Sequence, residues 1–316
     1  MNASSKFVGF TIGLAAVFGL AFGAGDAFGP EDAAPPETHD TSTHDAAPVS
    51  TTGAPVADQT PGGLMVTDSG YTLALDTAQI SVGSNQPVRF RILDADGVPV
   101  TRYVDSHDKQ LHLIAVRRDM AAFQHVHPVL DSAGTWSVPL DLTRAGTYRV
   151  FADFTPDGGD GLTLGADLQV GGDAYDPQPL PAEAAEAQVD GYTVTLDGAL
   201  QPGQASKLTL AVSRDGQPVT DLQPYLGAYG HLVALRAADL GYLHVHPDGH
   251  PGDGVTAPGP GIDFSVTTPS AGNYRLFLDF QHDGVVRTAE FTLAAANVHG
   301  TAVPAAPEPM PAGHGH

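Results

Sequence analysis

The chain carries an internal duplication, and this feature constrains its fold more than any other. Residues 96–128 align without a gap on residues 215–247, and 13 of the 33 aligned positions are identical. Residues 145–154 align on residues 271–280, where 7 of 10 positions are identical. The difference in residue number between aligned positions rises from 119 in the first alignment to 126 in the second. The second copy therefore contains an insertion of 126 − 119 = 7 residues. Two copies of roughly 100 residues predict two domains of one fold rather than a single large domain.

Each copy has the pattern of short β-strands. Apolar and polar residues alternate over residues 71–75 and 88–92 in the first copy, and over residues 192–196 and 208–212 in the second. Residues two apart in a strand face the same side, so this alternation is typical of strands with one buried face. Glycine (37) and proline (26) are frequent among the 316 residues, which favours many turns. We predict an all-β chain with two tandem antiparallel β-sandwiches, Ig-like or cupredoxin-like.

The first residues have the character of a membrane signal. Residues 7–25 contain no charged side chain, and a helix of that length measures ~28 Å, about one hydrocarbon core. Lys6 precedes this segment and acidic residues follow it, which predicts that the rest of the chain is extracytoplasmic. We expect a single-pass anchor in the cell membrane, or a secreted protein if the segment is a cleaved signal peptide.

Composition separates the sandwiches from segments rich in Pro, Ala, Thr, Asp and Gly, which are expected to be disordered. The expected organisation is a signal anchor or signal peptide at 1–25, a stalk at 26–62, the first sandwich at 63–170, a linker at 171–187, the second sandwich at 188–296 and a histidine-containing tail at 297–316.

Charge and cysteine content exclude several functions. Lys and Arg number 14 against 36 Asp and Glu, so the net charge is 14 − 36 = −22, which argues against nucleic-acid binding. The chain has no cysteine, which excludes disulfides, thiolate nucleophiles, cysteine zinc sites and the His₂Cys centre of blue-copper proteins. Fourteen histidines remain as the abundant metal-binding side chains.

Histidines stand at equivalent positions in the two copies. His125 and His127 lie two residues apart in a predicted strand and so share a face, while His112 lies on the preceding predicted strand. Three imidazoles without a thiolate suit Cu(II) or Zn(II). The candidate metal ligands are His112, His125 and His127 in the first copy, and His231, His244, His246 and the unmatched His282 in the second.

The strand phase predicts where these histidines point. His112 alternates with Ile114 and Val116, which predicts a face directed into the core of its own sandwich. On a later strand, Arg149 and Asp153 share a face, as their equivalents in the second copy do, and we expect a salt bridge there rather than chemistry.

Two motifs of the second copy carry a resemblance. These are His231-Leu232-Val233-Ala234-Leu235-Arg236 with Leu243-His244-Val245-His246-Pro247, and the later run from Asn273 to Gly284. They resemble a group of uncharacterised exported bacterial proteins from high-GC genomes, some of which are described as heavy-metal-associated or cupredoxin-like. The resemblance covers the anchor and both repeats, and it implies an envelope location rather than a particular mechanism.

The sequence supports one leading function and two alternatives. We expect a non-enzymatic, membrane-anchored protein that binds a divalent metal, Cu(II) in preference to Zn(II), for buffering, resistance or delivery. Its partners are then the metal ion and the membrane, and the sequence indicates no particular protein partner. The first alternative is an Ig-like structural or adhesion module whose histidines form only hydrogen bonds. The weakest is a zinc hydrolase, because no glutamate near a His-x-His pair offers a general base.

Overall fold

The structure is a computed structural model that describes residues 60–172, 174–243 and 245–296. The predicted anchor and tail, and residues 26–59 of the predicted stalk, lie outside the described residues. No helix within the described part is long and apolar enough to cross a membrane. Both repeats belong to one compact unit.

The first repeat is built from two sheets that are antiparallel except for one edge pair. Its strands are β1 (Thr67–Asp68), β2 (Tyr71–Leu75), β3 (Gln79–Ser81), β4 (Gly83–Leu93), β5 (Tyr103–Val104), β6 (Leu111–Arg117), β7 (Gln124–Val126), β8 (Val129–Leu130), β9 (Thr135–Leu142), β10 (Gly146–Pro156) and β11 (Leu162–Gly171). One sheet has the order β1-β2-β4-β9-β8. The other has the order β3-β11-β10-β6-β7, with β5 on β10, and its β3–β11 pair is parallel.

The second repeat follows the same plan. Its strands are β12 (Glu186–Val189), β13 (Tyr192–Asp197), β14 (Ala205–Arg214), β15 (Gln217–Pro218), β16 (Gly230–Arg236), β17 (Tyr242–Leu243), β18 (His246–Pro247), β19 (Gly261–Thr267), β20 (Gly272–His282) and β21 (Val285–Ala295). One sheet has the order β12-β13-β14-β19-β18, with β15 on β14, and the four-stranded sheet has the order β17-β16-β20-β21. Within the described residues, the prediction of two tandem, all-β sandwiches is confirmed.

Each sandwich closes on its own apolar core because its strands alternate. Val88, Phe90 and Ile92 of β4 point inward, and the polar residues between them lie outside the core. These three apolar side chains share the core with Trp136, whose indole Nε1 donates a hydrogen bond of 3.2 Å to the Tyr103 hydroxyl. The second repeat has its own core of the same kind.

A third apolar core joins the two repeats. All seven residues of β6 are buried, so both faces of this strand are covered, unlike those of an ordinary sandwich strand. Leu111 and Leu113 belong to the core of the first sandwich, whereas Ile114 and Val116 pack against the second repeat. The members of this inter-repeat core are Ile114, Val116, Met120 and Phe151 of the first repeat, and Val233, Leu235, Leu240, Tyr242 and Phe277 of the second.

The inter-repeat core corrects the expected orientation of His112. Its phase, shared with Ile114 and Val116, faces the other repeat and not the core of its own sandwich. Alternation shows that two residues share a face, but it does not show what covers that face.

The contacts across the inter-repeat core are reciprocal. Phe123 stacks on Phe277 with ring centroids 3.9 Å apart, and Tyr242 packs on Phe151 at 5.7 Å. Tyr242 is the repeat equivalent of Phe123, and Phe277 is the equivalent of Phe151. Exchanged partners of this kind are the signature of an approximate two-fold relation, in which equivalent patches bury each other.

The segment between the repeats is attached to the first one. No strand lies between β11 and β12 among the described residues, and this part of the chain is largely exposed. Arg117, itself paired with Asp119, donates a hydrogen bond of 2.9 Å to the Asp176 carbonyl. The Gln178 backbone amide donates one of 2.8 Å to Asp119.

Candidate metal centre

Three of the predicted histidines meet at the edge of the inter-repeat core. His112 is the second residue of β6, and His125 is the central residue of β7. The two strands pair antiparallel, with Ile114 opposite His125. His127 follows directly after β7 and lies two residues from His125, so both rings reach the same side.

The ring nitrogens of this trio approach one another closely. His112 Nδ1 lies 3.0 Å from His125 Nε2 and 3.2 Å from His127 Nε2. One ligand atom from each ring can be chosen so that all three lie within 4.8 Å of one another. Two nitrogens bound tetrahedrally to one Zn(II) at about 2.05 Å are separated by about 3.3 Å. The spacing of the His112 nitrogen from each of the other two therefore matches a shared ion.

Hydrogen bonds on the far side of two rings determine where their protons lie. His112 Nε2 is 3.0 Å from the Ser106 carbonyl oxygen, which can only accept, so this nitrogen carries the proton. His125 Nδ1 is 2.7 Å from Asp279 Oδ2 and donates to that carboxylate. His112 Nδ1 therefore presents a lone pair to the centre, and so does His125 Nε2 when the ring is neutral. Facing lone pairs repel unless a proton or a cation lies between them.

Burial keeps two rings of the trio in the neutral state that metal binding requires. Burial lowers the pKa of His112 to about 4, against the opposing hydrogen bond to Ser106. Burial, together with the neighbouring rings of His125 and His112, lowers the pKa of His127 to about 3. These two imidazoles are neutral at neutral pH.

The second repeat contributes groups beside the trio. The Asp279 carboxylate on β20 contacts His125, and His231 on β16 lies directly opposite Asp279 in the sheet. The His231 ring centroid is 6.4 Å from those of His112 and His125. Its Nε2 bonds the Tyr225 carbonyl at 3.0 Å, as His112 bonds the equivalent Ser106, so its Nδ1 also carries a lone pair.

The remaining predicted ligands have other positions. His282 lies at the end of β20, where its Nδ1 is 2.7 Å from the Tyr192 hydroxyl and its Nε2 is 3.1 Å from Asp221. Because His282 is three residues from Asp279, it lies on the opposite face of β20, away from the trio. His244 and the side chain of His246 lie outside the described residues.

Sequence reasoning missed two residues of this region. It assigned Asp279 to a salt bridge with Arg275, but Arg275 pairs with Glu290, and Asp279 crosses to the other repeat. It also passed over His107, whose ring centroid is 5.1 Å from that of His231 and 6.1 Å from that of His112. A signal for Asp279 was present, because the aspartate recurs in both copies on a strand next to the histidine strand.

A cleft of about 880 Å³ lies beside the centre and is lined by both repeats. His112 stands in its wall together with Asp153, Lys109 and Tyr242. His112 is the member of the trio that borders this cleft.

A family model described as a domain of unknown function, DUF8832, matches residues 65–171 and again residues 187–297. The chain belongs to this family. It carries two copies of the DUF8832 domain, and each matched range coincides with one sandwich. No curated protein sequence is similar to the chain.

The solved structures to which this chain is similar include bacterial adhesins. The adhesin InvE of Yersinia pseudotuberculosis is 15% identical, with 74% of this chain and 60% of that chain covered and a TM-score of 0.23. FdeC, an Escherichia coli adhesin, is 18% identical, with 72% and 63% covered and a TM-score of 0.24. InvD of Y. pseudotuberculosis is 11% identical, with 76% and 62% covered and a TM-score of 0.24. The chain thus spans about three fifths of the length of these solved chains.

Proposed function

We propose that this two-repeat DUF8832 protein binds one divalent transition-metal ion, Cu(II) or Zn(II), where its two sandwiches meet. The observation that carries the proposal is the convergence of His112, His125 and His127, with nitrogens 3.0 and 3.2 Å apart. Neutral imidazoles favour these two metals over Mg²⁺ or Ca²⁺, which take oxygen ligands.

The protein acts, in this proposal, as a carrier or buffer of the ion rather than as an enzyme. A metal hydrolase needs a base beside the bound water. The carboxylate nearest the trio, Asp279, is already engaged by His125 at 2.7 Å and by the Thr288 hydroxyl at 2.6 Å. It is placed to orient an imidazole and not to activate water.

Location outside the cytoplasm is part of the same proposal. It rests on the uncharged segment at residues 7–25 and on the charge asymmetry around it. An anchor at residues 7–25 would hold the metal centre at the membrane surface. The net charge of −22 would attract cations to the protein there.

A second candidate is an Ig-like structural or adhesion module of the envelope, and the similar solved proteins InvE and FdeC are adhesins. The observation in its favour is that the histidines have partners without any ion: His112 bonds Ser106, and His125 bonds Asp279. In this alternative the three histidines have only structural hydrogen bonds, of which the one from His125 to Asp279 joins the two repeats.

Metal titration separates the two candidates. We expect the metal-free full chain to bind Zn(II) or Cu(II) in competition with a chromophoric chelator, at one ion per trio. Replacing His127 with alanine removes one of three ligands and is expected to weaken binding at least ~100-fold, since even outer groups contribute 10- to 100-fold. His250→Ala is the matched control, because His250 lies exposed in the loop after β18. A wild-type chain that leaves all metal with the chelator would favour the structural module.

A further inference from the structure

We propose that Asp279 of the second repeat is a positioning residue that sets the tautomer of His125 and thereby completes the metal centre of the first repeat. The inference rests on the proposed function and names a further part of the same site. Its basis is a contact of 2.7 Å between Asp279 Oδ2 and His125 Nδ1, whose side chains are each 4% exposed.

The direction of this hydrogen bond determines which ring nitrogen is free. An ionised carboxylate only accepts, so His125 Nδ1 holds the proton and Nε2 holds the lone pair. Nε2 is the atom directed at the centre, 3.0 Å from His112 Nδ1. Without Asp279, a neutral His125 gains by moving its proton to Nε2, where it donates to His112. In that tautomer His125 Nε2 carries a proton and His112 Nδ1 accepts the hydrogen bond, so neither of these two nitrogens is free to bind a metal.

Asp279 is itself held rigidly. The Thr288 hydroxyl donates to its other oxygen, Oδ1, at 2.6 Å. The two residues face each other across the β20–β21 pair, so the carboxylate is fixed by a sheet and not by a loop. A carboxylate fixed in this way holds one ring orientation as well as one tautomer.

The charge of Asp279 also favours a metal ion bound to His125. In the part of the chain that the structure describes, its carboxylate contacts His125 and Thr288, and no Lys or Arg is paired with it. A buried carboxylate is costly without a compensating positive charge. A divalent ion on His125 supplies that charge through the imidazole, so metal binding and the buried anion stabilise each other.

The metal centre is therefore composite. The first repeat supplies His112, His125 and His127, and the second repeat supplies the carboxylate that prepares one of them. The repeats must be docked through the inter-repeat core for the site to be complete.

The test is the substitution Asp279→Ala in the full chain, with two measurements. In the metal-free wild-type protein at pH 8, long-range ¹H–¹⁵N correlation of the imidazole rings should show the His125 proton on Nδ1. In Asp279→Ala the proton should move to Nε2, and Zn(II) affinity should fall about 10- to 100-fold. Thr288→Val, which releases only the other oxygen, should lower affinity in the same direction by a smaller factor.

Asp263→Ala is the matched control. Asp263 bonds Thr209 and Lys207 in the other sheet of the second repeat and is expected to change neither measurement. A proton on His125 Nε2 in the wild-type protein, or an unchanged tautomer in Asp279→Ala, would overturn the inference. If the wild-type chain binds no metal, the proposed function fails, while the imidazole spectra still decide the role of Asp279. If Asp279→Ala does not fold, Thr288→Val decides through Zn(II) affinity, and unchanged affinity there overturns the inference.

Discussion

Replacing Phe277 with alanine is expected to lower the free energy of unfolding by about 3–5 kcal/mol, the usual cost of deleting a buried phenylalanine ring. Phe277 is fully buried in the inter-repeat core and stacks face to face on Phe123, with centroids 3.9 Å apart. The Arg275 guanidinium also lies over the ring, 5.2 Å from its centroid. Removing the ring leaves a cavity between the two sandwiches, because neither sheet can move into it without disturbing its own core.

Urea unfolding monitored by two signals checks this expectation. The chain has one tryptophan, Trp136, which is buried in the first repeat, whereas Phe277 belongs to the second. If the inter-repeat core couples the sandwiches, Phe277→Ala shifts the Trp136 fluorescence transition together with the circular-dichroism transition. Val285→Ala, at an exposed site of the second repeat, should change the free energy of unfolding by less than about 0.5 kcal/mol. A Trp136 transition that stays in place would show that the repeats unfold independently.

The metal-free protein is expected to lose stability as the pH falls from 6.5 towards 5. Burial lowers the pKa of His112 and of His231 to about 4 each in the folded state, against an ordinary value near 6.5 in the unfolded chain. The unfolded state therefore takes up protons first as the pH falls, which favours unfolding. At pH 5 each imidazole contributes a loss of about 2 kcal/mol, since one pKa unit corresponds to about 1.4 kcal/mol.

Urea unfolding at several pH values between 7.5 and 5 measures this loss. The window stays above the range in which most carboxylates titrate, so the histidines dominate the slope. Replacing His231 with phenylalanine, which cannot take up a proton, should remove about half of the pH dependence assigned to these two rings. His250→Ala, which changes an exposed loop, should leave the slope as it is. A free energy of unfolding that stays constant across the window would contradict the lowered pKa values.

The trio itself followed from sequence because its geometry is local. His125 and His127 are two residues apart, and β6 and β7 are neighbouring strands joined by a short connection. Consecutive strands pair with each other in most antiparallel sheets, so the order of the strands along the chain was enough to predict that β6 and β7 are neighbours.

The amino-acid sequence by itself determined the two repeats, their alternating strands and the pairing that brings three imidazoles together, because each depends on periodicity or on near neighbours. Only the tertiary structure decided what covers the outer face of β6 and which carboxylate reaches His125. That carboxylate, Asp279, lies 154 residues away along the chain and on the other repeat. Apolar residues on both faces of a strand indicate that both are buried, but they do not identify the partner. The docking of the two complete sandwiches determines which residues cover β6 and which carboxylate contacts His125, and so determines the environment of the candidate metal centre.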